Sequence, residues 1–270
     1  MKIYESDLWG EVEAPETFIE LISLITHNTK PGINVSYWRG QADIAWPLEP
    51  SIVRKIKLDG NNKNKSGKEL DRSIQFWEER LLTKAKKNLY NYDVHGRELG
   101  DIELLAKLQH CGAATRLLDF TKNVLVALWF CASDDRKKND IGLLIGIDTD
   151  VIAGMEDEFI FEKNHAEFFS GVCQSNKIWM VDSPANISRI SAQHSVFLCS
   201  KSAIENYGTL LLPESKTRRR IIAISPELKI ESLRILSECF NITYLTMFPD
   251  FEGFAEAHSS KWENSKFTRW

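Results

Sequence analysis

The sequence predicts an α+β fold, with a mixed β-sheet core and helices inserted between and flanking its strands. Short apolar segments such as IGLLIGI (141–147) and SVFLC (195–199) have the length and β-branched content of buried strands. They are separated by amphipathic helical segments, so the pattern reads as a sheet core with helices inserted between its strands. At 270 residues, with 43% hydrophobic and 10% aromatic side chains, the chain suits one large core with elaborations.

In chain order, residues 14–28 space Phe18, Leu21, Ile22, Leu24 and Ile25 as one apolar helix face. INVSYW (33–38) alternates like a strand ending at Arg39, where Gly40 frees the backbone to turn. KLDGNNKNKSGK (57–68) has almost no apolar side chain and reads as a flexible loop. Leu70, Ile74, Phe76, Trp77, Leu81 and Leu82 give an amphipathic helix from Glu69 to about Leu89, and DIELLAKLQHC (101–111) a second, stopped by Gly112. TRLL (115–118) reads as a strand, Asp119 to Thr121 as a cap, and Val124–Ala132 as a helix buried nearly all round. Further on come a helix near 162–170 and strands at 141–147, 177–181, 195–199 and 220–225. A short helix near 201–206, a helix at 227–238, a strand or turn at ITYLTM (242–247) and a helix from Phe251 to about Trp262 complete the pattern.

Composition excludes several classes. A net charge of −4 and a pI near 5.9 argue against broad adhesion to nucleic acid, leaving Lys84, Lys86 and Lys87 or Arg218, Arg219 and Arg220 as local basic candidates. Five widely spaced cysteines read as buried free thiols, with neither disulfide nor metal spacing. The start MKIYESDLWGE places acidic residues where a signal peptide needs an apolar stretch, and no run approaches the roughly 18 apolar residues of a membrane span. A cytoplasmic protein without membrane contact is expected.

Two segments carry candidate chemistry. In YWRGQ (37–41), Arg39 offers a planar fork of donors for a phosphate, and Trp38 or Trp46 a face for a ring; alternatively Arg39 holds the sheet through a carboxylate such as Asp119. In QHCGAATRLLDFT (109–121), His110 has an imidazole suited to proton transfer or to capping a helix end. Arg116 and Asp119 fall on opposite faces of an extended stretch, so they do not pair with each other.

YWRGQ, the block LLAKLQHCGAATRLLDFTKNVLVALWFCAS, Arg189-x3-Gln193-x3-Phe197 and MFPDFEGFAE together resemble the FRG domain, from about Val35 to Glu256. The chain departs from the common form at Cys111, where an aromatic is usual, at His194-Ser195 in place of Gln-Gly, and at Glu252 in place of Asp. The order of Trp38-Arg39-Gly40, Thr115 to Thr121 before ALWFCA, and Gln193-His194-Ser195 is in turn distantly similar to mono-ADP-ribosyltransferases of the Arg-Ser-Glu type. That resemblance implies a sheet of ADP-ribosyltransferase-like type and NAD as co-substrate. By it Arg39 binds the NAD pyrophosphate or ribose, Thr115 or Thr121 stands near the Ser position and Gln193 near the third motif; Arg39, Thr115, Asp119 and Gln193 are the expected catalytic residues, and Trp38, Arg39, Gly40, Gln41, His110, Arg116 and Thr121 the expected contacts to NAD. Ser195 stands where the third-motif Glu belongs, so Asp119 or another carboxylate such as Glu252 supplies the charge, or the site binds a nucleotide without turning it over. The resemblance further implies an intracellular bacterial toxin of toxin-antitoxin or phage-defence type, with an RNA or protein acceptor and an antitoxin partner. The expected division is a helical lead-in at 1–33, an FRG domain at 34–262 with a helical insertion at 69–111, and a tail at 263–270.

Overall fold

The computed structural model describes residues 2–27, 35–59, 64–93, 95–148, 150, 152–153, 164–182, 188–215 and 218–259. Its strands are β1 (Lys2–Ser6), β2 (Gly10–Ala14), β3 (Val35–Gln41), β4 (Leu118–Thr121), β5 (Gly142–Asp148), β6 (Ile152–Ala153), β7 (Ile178–Asp182), β8 (Ser195–Cys199) and β9 (Arg219–Ile224). The helices are α1 (Phe18–His27), α2 (Ser51–Leu58), α3 (Gly67–Lys87), α4 (Asp101–His110), α5 (Val124–Ala132), α6 (His165–Gln174), α7 (Ser188–Gln193), α8 (Pro226–Phe240), α9 (Tyr244–Met247) and α10 (Phe251–Ala257). All described strands join one sheet in the order β1-β2-β9-β5-β3-β4-β8-β7-β6, with β2·β9 and β6·β7 parallel and the other pairs antiparallel. The fold is therefore α+β with a mixed sheet. Among the described residues, no helix is long and apolar enough to cross a membrane.

Period-two side chains explain how the sheet is covered. Leu143, Ile145 and Ile147 of β5, Leu118 and Phe120 of β4, and Val196 and Leu198 of β8 build the core on one face. On the other face, Trp38, Leu144, Ile222 and Ile224 pack against apolar residues of α1, α5, α8 and α9. Beside them, Phe197, Cys199 and Val181 pack against α3, α4 and α6.

The sheet divides between its two halves. β3 shares six residue pairs with β5 and β4 shares four with β8, yet β3 and β4 meet only at Trp38↔Thr121. Beyond that pair the two strands part. Gly40 explains how helix α5 sits so close to this seam: a Cβ there would lie 1.9 Å from the Ala127 carbonyl oxygen and 2.7 Å from the Cys131 nitrogen. The glycine thus permits helix-on-strand contact, and the chain does not turn there, because β3 continues through Arg39 to Gln41.

Several sequence expectations are corrected. The expected lead-in at 1–33 begins with the β1-β2 hairpin, which joins the sheet beside β9; only Val12 of β2 is buried, too little apolar alternation to signal a strand. TRLL does not form a strand, since Thr115 and Arg116 are buried in polar contacts and β4 starts at Leu118. Residues 201–206 form no helix; Ser202 gives its N–H and hydroxyl to buried Asp71. ITYLTM contains helix α9, started by the reciprocal cap of Thr243 and Thr246. The loop expected at 57–68 is narrower, with α2 running to Leu58 and α3 starting at Gly67; residues 60–63, 28–34, 162–163 and 260–270 lie outside the described residues. Of the five cysteines, Cys131 and Cys199 are buried, whereas Cys111 and Cys239 are exposed.

Candidate functional site

A cleft of about 520 Å³ opens at the β3/β4 seam. It brings together Trp38, Arg39, Gly40, Gln41, His110, Asp119, Thr121 and Gln193, although these residues span 38 to 193 in the sequence. Thr115 and Arg116 are not among its lining residues.

Arg39 is partly buried and replaces part of the missing strand ladder: its Nη1 donates to the backbone oxygen of Asp119 at 2.7 Å. Its Nε is buried without a hydrogen-bond partner. Burial holds the guanidinium below the ordinary arginine value, and the nearby Asp119 carboxylate opposes that effect. The Asp119 side chain is exposed and accepts from Gln109 Nε2 at 3.1 Å.

Thr121 is buried and joins two walls. Its hydroxyl donates to the Gln193 backbone oxygen at 2.7 Å and accepts from Asn123 N at 3.0 Å, while the Asn123 side chain caps α5. Gln193 ends α7 and donates through Nε2 to the Met247 oxygen at 3.0 Å, fixing α7 to α9. His110, at the end of α4, is partly buried. Burial and the charge of Arg189 hold its imidazole below the ordinary value, against the pull of Asp119, Asp250 and Glu252.

The remaining assignments are corrected by burial. Thr115 is fully buried one side chain behind the cleft, donating to Gln109 Oε1 at 2.7 Å, so it orients the amide that holds Asp119. Arg116 is 3% exposed and belongs to a buried cluster on the far side of that segment. Its backbone N and Nε reach Glu78 at 2.8 and 2.7 Å, Nη2 lies 2.6 Å from Glu78 Oε2, and its guanidinium lies over the Phe169 ring. His165 Nε2 adds a fourth contact to Glu78 at 2.9 Å. Burial pushes the Glu78 carboxyl upward, but Arg116 and His165 outweigh it and bring it down to about 2. Trp38 is 4% exposed within the α5 side of the core, so its ring offers no stacking face, whereas Trp46 is 39% exposed and lines the cleft.

Sequence reasoning left Arg189 and Phe248 without a role. Arg189 lines the cleft and grips Asp250 with Nε and Nη2, the latter at 2.6 Å, while its guanidinium lies 4.9 Å from the Phe248 ring centre. Asp250 also caps α10 by accepting from Gly253 N at 2.7 Å. An Arg followed at long range by Phe-Pro-Asp at a helix start was the available signal. Glu252 is 89% exposed in its side chain and does not line the cleft. Opposite, Lys229 is 1% exposed and donates to the oxygens of Ala42 at 2.6 Å and Lys137 at 2.8 Å, anchoring the chain that leaves β3. Of the basic candidates, Lys86 pairs with Asp101, and Arg218 with Asp148 and Asp150.

No curated protein and no solved structure matches the chain with significance. Arg189, Gln193 and Phe248 of the cleft wall lie beyond the one stretch for which a family model matches. That stretch, residues 34–140, matches the FRG domain and holds β3 with Arg39, the helical insertion, β4 with Asp119, and α5.

Proposed function

We propose that the protein is an NAD-dependent ADP-ribosyltransferase acting as an intracellular toxin, in a toxin-antitoxin or phage-defence setting, with RNA or protein as acceptor. One observation carries the reading: a cationic Arg39, a solvent-facing Asp119 carboxylate and an imidazole converge with Gln193 on one seam cleft. Its volume falls in the range of roughly 300–1,000 Å³ typical of small-molecule sites.

In this reading, Arg39 keeps donors free for the NAD pyrophosphate after giving one to the Asp119 oxygen. Thr121, which lines the cleft, takes the hydroxyl position that Thr115 cannot reach. The bond between the ribose C1′ and the nicotinamide nitrogen breaks with its electron pair leaving on nicotinamide, and the acceptor nucleophile forms the new bond to C1′. Positive charge develops on the ribose between these events, and Asp119 stabilises it electrostatically. The proton released by the nucleophile goes to His110, whose lowered value keeps it neutral and able to accept at pH 7.

The test is transfer of label from NAD into cell extract by the wild type and Asp119→Asn. Transfer to RNA or protein is expected, slowed by roughly a hundredfold or more in the variant with its folding unchanged. Equal rates remove Asp119 from the mechanism, and absence of transfer by the wild type removes the transferase reading. A second reading, a non-catalytic module sensing a nucleotide or a phage component, is favoured by Ser195 at the position of the third-motif carboxylate. It predicts NAD binding without release of nicotinamide.

A further inference from the structure

Gln41 stands apart from the other amides of the cleft. Gln109 and Gln193 are hydrogen-bonded to neighbouring groups, whereas Gln41 is only 5% exposed and its Oε1 has no hydrogen-bond partner. Such an orphan costs stability, and a Leu or Met of similar size would avoid the cost. Arg39, two residues earlier on the same face of β3, has a buried Nε in the same condition. One strand face therefore presents an unmet acceptor beside an unmet donor at the cleft wall. Trp46 adds a partly exposed ring to the same lining.

We propose that Gln41 is a specificity-determining residue that reads a planar edge carrying an N–H donor beside an acceptor atom. Resting on the reading that the cleft takes NAD, this chemistry has two sources in the ligand, the carboxamide of nicotinamide and the amine edge of adenine.

Calorimetric titration of the full chain separates the sources with three probes: NAD, its 3-acetylpyridine analogue, in which a methyl ketone replaces the carboxamide, and its hypoxanthine analogue, in which an oxygen replaces the adenine amine. The wild type is expected to bind one analogue about tenfold or more weakly than NAD, and the weaker one identifies the edge that Gln41 reads. Gln41→Met, near in volume but without the amide, is expected to bind NAD about tenfold more weakly and to lose the preference. Wild-type affinities that agree for all three probes overturn the proposal while leaving the transferase reading intact. Retention of NAD affinity and preference by a folded Gln41→Met does the same. Should the wild type bind none of the three, both fall together; should the Met variant fail to fold, the wild-type comparison decides.

Discussion

Glu78→Gln tests whether Arg116 is architecture. The substitution keeps the shape of a side chain with no exposure but removes the counter-charge of a guanidinium that is itself 3% exposed. Glu78 accepts the Arg116 backbone N–H and Nε–H and contacts His165, so it ties α3 and α6 to the segment entering β4. A carboxyl brought from 4.5 to about 2 corresponds to about 3 kcal/mol of folding free energy, at about 1.4 kcal/mol per tenfold in proton affinity. Breaking a buried pair by removing one partner costs about 3–5 kcal/mol by an independent route. At roughly 2–4 °C per kcal/mol, the lower figure alone lowers Tm by roughly 6–12 °C. Because the folded-state value is depressed, the contribution is fully present above pH 4.5 and is lost as pH falls toward 2. Scanning calorimetry of both proteins from pH 7 downward should therefore show a Tm gap that narrows below pH 4.5. A variant that melts within about 2 °C of the wild type at pH 7 refutes the assignment.

Two further outcomes follow from the seam. Gly40→Ala forces a Cβ onto the Ala127 carbonyl at 1.9 Å, so α5 must move off β3; a loss of about 3 kcal/mol or more, or insoluble protein, is expected in a denaturation series, and a wild-type midpoint would refute the close-packing account. Arg39→Ala should restore growth of cells that the induced wild type arrests, at a stability cost of about 1.5 kcal/mol for the charged hydrogen bond to the Asp119 oxygen. Persistent growth arrest by a folded Arg39→Ala protein counts against its role in the site.

The parts of this fold legible in the sequence are those stabilised by local pattern. β5 and β8 carry continuous apolar runs, and α4 has its apolar face, acidic first turn and Gly stop within a dozen residues. Arg39, Asp119 and Gln193 were found through the order of motifs, and they do line one cleft. Thr115 and Arg116 were misread because nothing local separates a polar side chain that faces a ligand from one that faces a buried partner. For Arg116 that partner is Glu78, 38 residues earlier, in a helix whose pattern marked only its apolar face. The β1-β2 hairpin was missed for the opposite reason: its strands are short and bury only Val12, so partnership with β9 decides their structure. Residues 242–247 look β-rich, yet the Thr243 cap imposes a helical turn that places Met247 against Gln193.

The seam also explains how one cleft keeps both signs of charge available. Had Arg39 been held by the Asp119 carboxylate, the pair would neutralise itself and present little field to a ligand. Instead Arg39 is positioned by a neutral acceptor, the Asp119 backbone oxygen, which the parted strands leave without a ladder partner. The carboxylate of the same residue is held apart by the Gln109 amide, itself oriented by buried Thr115. Neutral dipoles thus fix the two charged groups, which are not hydrogen-bonded to each other through their side chains. Arg189 contrasts with this, since its fork is committed to Asp250 and closes the wall. Among the lining arginines, Arg39 is therefore the one whose charge is not paired to a carboxylate side chain, and an anionic ligand entering the seam meets its strongest attraction there.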